Sequence, residues 1–263
     1  MEMKHATGPS ALREPDSRRI PLLPDHGDVL RELQSRSRLS GEDLLVPAPS
    51  SDPALRAALA PAGAHGISAV SAPPSGTPLE TVLRRRKSVR AYDGEPVPVE
   101  VLTSVVQQAA AFDRSAWPDH EAGAGLEFLV AARSVAGLRQ GLYLYSPDRG
   151  DFTPLAGLPD GEAAADLVLQ LEYAHAPAIV IVCGPLAASL DRHGEHGHRL
   201  LLTRAGAAAQ TAWLTALSHG LAGSIFAGFL AAALKPLVPV DGYRNVQLLA
   251  FSLGHEALGH EAR

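Results

Sequence analysis

Hydrophobic positions recur along this chain with two periods. In "VEVLTSVVQQAA" the residues Val101, Leu102, Val105, Val106, Ala109 and Ala110 repeat at steps of three and four, the stripe of an amphipathic helix. "LEFLVAA" (126–132) and "LYLY" (142–145) read as strands, the second ending in "SPDRGD", a Pro-Asp turn of the kind that joins hairpin strands. "AIVIVC" is apolar throughout, which predicts a buried strand, and "VQLLAFSLG" predicts the last strand. A helix near "AAADLVLQLEYA" and a long one over "LLLTRAGAAAQTAWLTALSHG" complete an interleaved pattern, so the class is mixed α and β.

The long helix is apolar nearly all round, with Leu200, Leu201, Leu202, Ala205, Ala212, Trp213, Leu214, Ala216 and Leu217, which predicts burial on several sides. Its small residues Gly206 to Ala209 would let another helix approach closely, as at a domain centre or a subunit interface. Upstream, "TPLE" offers Thr77 as N-cap, Pro78 at the first helical position and Glu80 at the third, a capping box opening a helix from Pro78 to Lys87. Residues 1–76 differ in texture, being rich in Pro, Ala and Ser with one helix-like segment, "DHGDVLRELQSRSRL". They read as an N-terminal extension and linker before a domain spanning 77–263.

Composition narrows the function classes. Of 263 residues, 46% are hydrophobic and 19% charged, which describes a globular protein with a sizeable core. A net charge of -5 argues against nucleic acid or an anionic membrane as a partner. The single cysteine, Cys183, excludes an intramolecular disulfide framework or a CxxC site, and its place in an apolar run predicts a structural thiol. With no apolar leader and no run of roughly 18 apolar residues, the expected compartment is the cytoplasm.

Against that acidic balance, "RRRKSVR" (84–90) concentrates five positive charges. Extending the stripe of Leu79, Val82 and Leu83 along the helix puts Arg86 and Arg90 on the inner face and turns Arg84 and Arg85 away. An inward arginine needs a partner, and a phosphate or carboxylate accepts its fork of donors bidentately. A solvated basic face at a helix C-terminus accounts for the same letters.

"LRRRKSVRAYDGEPVPVEVLTSVVQQAA" resembles the opening of the nitroreductase-like FMN oxidoreductases, whose arginines and serine here hold the flavin phosphate and ribityl chain. The resemblance implies an α+β nitroreductase-like fold, a central mainly antiparallel sheet flanked by helices, forming homodimers. It also implies FMN as cofactor, with Arg86, Lys87, Ser88 and Arg90 as the clamp.

Within that superfamily three stretches are similar to the SagB-type thiazoline and oxazoline dehydrogenases: "VAGLRQGLYLYSPDRGDFTPL", "DRHGEHGHRLLLTRAGAAAQTAWLTALSHGLAGSIFAGF" and "VQLLAFSLGHE". By that resemblance Ala227 and Gly228 of "FAGF" bring backbone N–H groups to the flavin, although a glycine turn after any helix has the same letters. Two departures stand out. "RSAWPDHEAGAG" replaces the branch's Arg-x-x-Pro-Ser-x-Gly, leaving Arg114 and Pro118 as equivalents without the serine. The Lys-Tyr pair that removes the azoline proton becomes Arg192-His193. Arginine stays protonated, so the histidine, a residue type whose unperturbed pKa is near 6.5, makes His193 the candidate base.

The histidines of "DRHGEHGHR" (His193, His196, His198) have zinc-like spacing, but the arginines at both ends oppose a cation and the stretch reads as a solvated loop. No metal site is assigned. Walker A, dinucleotide and GxSxG signatures are absent. The expectation is an FMN-dependent oxidoreductase that dehydrogenates peptide thiazolines or oxazolines alongside biosynthetic partner enzymes. The alternatives are a nicotinamide-dependent nitro, quinone or enone reductase, or a degenerate subunit that binds FMN or peptide.

Overall fold

The computed structural model describes residues 26–38, 52–55, 58–159, 168, 171–228 and 231–257. The chain divides into two compact units, Met1–Arg36 and Ser37–Arg263. The described part of the first is helix α1 (His26–Arg36), which carries Asp28 in its first turn and Arg36 in its last, the signs its dipole favours.

In the second unit the elements run β1 (Ile67–Ser68), α2 (Leu79–Arg85), β2 (Val97–Pro98), α3 (Val99–Ala116), β3 (Glu127–Ala132), β4 (Val135–Ala136), β5 (Gly141–Ser146) and β6 (Asp151–Ala156). They continue with β7 (Ala178–Gly184), α4 (Leu186–His193), α5 (His196–Ser218), β8 (Ala222–Phe226), α6 (Ala231–Leu234) and β9 (Val246–Gly254). Seven strands form one sheet in the order β1-β6-β5-β3-β7-β9-β8. Every pairing within it is antiparallel, whereas β2 and β4 form a separate parallel pair. The α+β reading with a mainly antiparallel sheet is therefore what the chain adopts.

Side chains alternate across the sheet and divide the core in two. Phe128, Val130 and Ala132 of β3 face α3 and α5, meeting Leu102, Val106, Leu201 and Ala208. Leu129 and Ala131 face the other way, toward Tyr173, Leu234 and Val238. β7, buried at every position, sits between β3 and β9, which is why its sequence is apolar without alternation. Cys183 lies there fully buried, and burial pushes its thiol far above the ordinary range.

Three local expectations are corrected. The capping box at Thr77 does not form: no side chain caps α2, and Thr77 Oγ1 instead donates to the Ser218 carbonyl at 3.1 Å, joining this segment to the end of α5. α2 ends at Arg85 rather than Lys87, with Arg86 already extended (φ -64°, ψ 106°). The stretch "DRHGEHGHR" is no solvated loop, because its first half completes α4. Gly194, at φ +57°, ends that helix, since the left-handed region suits glycine. α5 begins two residues later, and a Cβ on Gly197 would stand 2.2 Å from the Ser189 carbonyl oxygen, so only glycine lets the two helices meet so closely. The helix expected near "AAADLVLQLEYA" falls mostly outside the described residues, which show a short 3₁₀ turn at Leu171–Tyr173.

Candidate functional site

The basic segment leaves α2 and runs alongside β8. Ser88 bridges Gly223 in parallel, and the Val89 N–H donates to the Gly223 carbonyl at 3.1 Å. The Val89 carbonyl accepts from Ser224 Oγ at 2.9 Å and from the Tyr92 hydroxyl at 3.0 Å. Burial raises the Tyr92 phenol well above its ordinary range, so the hydroxyl remains a donor. Extended pairing replaces helical facing from Arg86 onward: Val89 is buried, while Arg86, Lys87, Ser88 and Arg90 are exposed. The inward placement expected for Arg86 and Arg90 is thus corrected, because the helix that would have turned them inward stops one residue too early. Leu79 and Leu83 of the stripe are exposed, and Val82 alone of the three is buried.

Each cation of this segment is lightly held. Lys87 Nζ meets Glu256 Oε1 at 2.7 Å and Arg90 Nη1 meets Glu172 Oε1 at 3.3 Å, both at the exposed surface. The Arg86 guanidinium lies over the Trp213 ring, 4.8 Å from its centroid. Arg84 pairs with Glu80 one turn back. The contact at Gly223 is near the start of β8, and from there the segment turns to pair Tyr92 with Glu256, just past the β9 residue Gly254 that faces Ala222; Ala227, which is exposed, and Gly228 follow the other end of β8.

Arg192 and His193 are in a different place and of a different character. At the end of α4 both reach Asp119 Oδ1, Arg192 through Nε at 2.8 Å and His193 through Nε2 at 3.0 Å. Asp119 Oδ2 meets Arg204 Nη1 at 3.3 Å. Arg204, with no exposed side-chain surface, gives Nε and Nη2 to the two oxygens of Asp113 at 2.9 and 2.8 Å and Nη1 to the Ala124 carbonyl at 2.8 Å. Two guanidinium groups thus balance two carboxylates in a buried network that runs from α3 through the 118–120 turn to α4 and α5. Arg114 lies beside it, donating to His120 Nε2 at 3.1 Å and to Asp148 at 2.6 Å, which holds the Asp148 carboxyl below its usual range.

Asp113, Asp119 and Arg204 carry no motif and were not legible in the sequence. The one signal was an arginine on the apolar side of the long helix, at the edge of the stripe formed by Leu201, Ala205 and Ala208. Among the described residues no group of three or more His, Cys, Asp or Glu side chains is placed to hold a metal ion. No helix among them is long and apolar enough to cross a membrane.

The two clusters adjoin different parts of α5. Arg204 and Trp213, which touch one cluster each, lie nine residues apart on α5. At about 3.6 residues per turn and 1.5 Å per residue, that is two and a half turns and roughly 13 Å of axis, on opposite sides of the helix. The basic segment and the Asp119 cluster therefore flank α5 from two directions.

The family model described as "Nitroreductase family" matches residues 83–255. A candidate nitroreductase of Methanocaldococcus jannaschii is 28% identical over 170 residues, covering 63% of this chain and 86% of that one. Among solved structures, a candidate nitroreductase from Anabaena variabilis superposes with a TM-score of 0.69 at 21% identity. The match covers 91% of this chain but 49% of that one, so this chain spans about half its length. The E. coli microcin synthetase McbBCD complex, with truncated pro-MccB17 bound, gives a TM-score of 0.52 at 13% identity, covering 88% and 92%. At these identities the structural likenesses are of fold.

Proposed function

The chain belongs to the nitroreductase family, whose members are flavin-binding oxidoreductases, and from that premise we propose that it is an FMN-dependent dehydrogenase of peptide thiazolines or oxazolines. The observation that carries the flavin half of this reading is the basic segment laid along β8. Its donor set fits a phosphate: Arg86, Lys87 and Arg90 supply cations, Ser88 adds a hydroxyl, and all four are exposed. The carboxylates that hold Lys87 and Arg90 do so through exposed ion pairs, worth at most about 1 kcal/mol each, and a dianion can displace them. Arg86, Lys87, Ser88 and Arg90 would hold the phosphate, and the backbone of Ala227 and Gly228 would face the ring. Bound FMN supplies a hydride acceptor.

The azoline half rests on His193 as the base and on the fold shared with the peptide-bound microcin synthetase complex. Arg192 stays charged and cannot take a proton. The clamp and His193 approach α5 from opposite sides, which sets them apart within one chain. A homodimer, with His193 of one subunit facing the clamp of the other, resolves this. Peptide substrate and biosynthetic partner enzymes are the expected company. The likeness to the M. jannaschii protein favours one second reading, nicotinamide-driven reduction of nitro, quinone or enone compounds on the same clamp.

Incubating the purified yellow protein with an azoline peptide in air separates the two. The expected product is lighter by two hydrogens, formed without a nicotinamide. Bleaching of the flavin by NADPH with the azoline untouched would support the reductase, and a preparation that takes up no FMN would overturn both.

A further inference from the structure

Asp119 is placed to govern which nitrogen of His193 can take a proton, an inference that rests on the reading of His193 as the base. A carboxylate offers acceptors only, so the ring nitrogen facing it, Nε2 at 3.0 Å, must carry hydrogen. In the neutral imidazole the lone pair is then on Nδ1. Among the described residues Asp119 is the only partner of His193, so Nδ1 is left uncommitted. The His193 side chain keeps 20% of its surface exposed, enough for a substrate to reach it, while that of Asp119 keeps 4%.

Asp119 itself cannot swing away, because Arg192 Nε holds Oδ1 at 2.8 Å and Arg204 Nη1 holds Oδ2 at 3.3 Å. Arg204 is in turn fixed by Asp113. With His193 neutral, the charges of Asp113, Asp119, Arg192 and Arg204 sum to zero. A proton arriving on Nδ1 creates an imidazolium already in contact with a carboxylate.

We propose that Asp119 is the positioning residue of a His193–Asp119 dyad that locks the imidazole as the Nε2–H tautomer and presents Nδ1 to the substrate. Arg192 acts through Asp119 by sharing its Oδ1. In the reaction the proton of the azoline ring carbon that bears the peptide carbonyl passes to Nδ1. Bound FMN would supply the acceptor for a hydride from the adjacent ring methylene, so that a ring carbon–carbon double bond replaces the two C–H bonds, with molecular oxygen as the terminal oxidant.

The tautomer is read directly from long-range proton–nitrogen spectra of the full chain labelled with ¹⁵N-histidine at alkaline pH. The His193 signals are identified by their loss in His193→Gln. A fixed Nε2–H pattern is expected in the wild type. In Asp119→Asn that pattern should become averaged and azoline turnover should fall by roughly a hundredfold or more, with flavin content kept. A wild-type spectrum with Nε2 bare, or with the two tautomers averaged, overturns the dyad even if Asp119→Asn does not fold. So does an Asp119→Asn chain that keeps both pattern and turnover. Wild-type protein that oxidises no azoline overturns the underlying reading instead, whichever tautomer it shows.

Discussion

The two charged regions of this molecule use the same residue types under opposite conditions. Along β8 the cations of residues 86–90 are exposed, and their carboxylate partners are solvated and exchangeable. On the other side of α5, Arg204 and Asp113 are sealed from water and matched donor to acceptor. An exposed ion pair contributes little and can give way to a better anion. A buried one contributes little net stability either, but losing one partner strands a charge in the interior. The first arrangement suits binding and the second suits holding side chains still.

Breaking the buried network should give the largest effect. Arg204→Ala leaves Asp113 without either of its guanidinium bonds, and a loss of about 3–5 kcal/mol is expected in denaturant unfolding. If Arg204→Ala unfolds at the wild-type midpoint, the network does not hold α3 to α5. In the exposed segment Arg86→Ala should change stability by no more than about 0.5 kcal/mol in the same experiment. The smallest effect is expected at a partner of the clamp. Glu256→Gln frees Lys87, and FMN affinity measured by flavin fluorescence should rise by about 1.5- to 5-fold, the worth of one exposed pair. A weakening there would mean that Glu256 supports the flavin site instead of competing for it.

The sequence made the strands and the long helices legible because each is written in local periodicity. Val105 and Val106 of α3 and the apolar run of β7 mark their elements within a few residues. α4 was hidden because its stripe is short and lies among glycines and histidines. β8, in "AGSIF", was hidden because small residues blur alternation. The basic segment was legible as a concentration of positive charge but misplaced in space, since a helical phase was carried past Arg85, where the backbone becomes extended. The Asp119 cluster was the least legible part. Its bonds join residues 73 to 91 apart in the chain, and no local pattern records such a pairing.

The central claim is that residues 86–90 clasp the phosphate of a flavin, and comparing FMN with riboflavin tests it most directly, because the two differ by that phosphate alone. Titrated into flavin-free protein, FMN should bind at least about tenfold more tightly than riboflavin, in keeping with one or two charge-assisted hydrogen bonds. Arg86→Ala and Arg90→Ala should erase most of that difference while leaving riboflavin affinity unchanged. Equal affinities in the wild type, or a preference for FMN that survives both substitutions, would contradict the account.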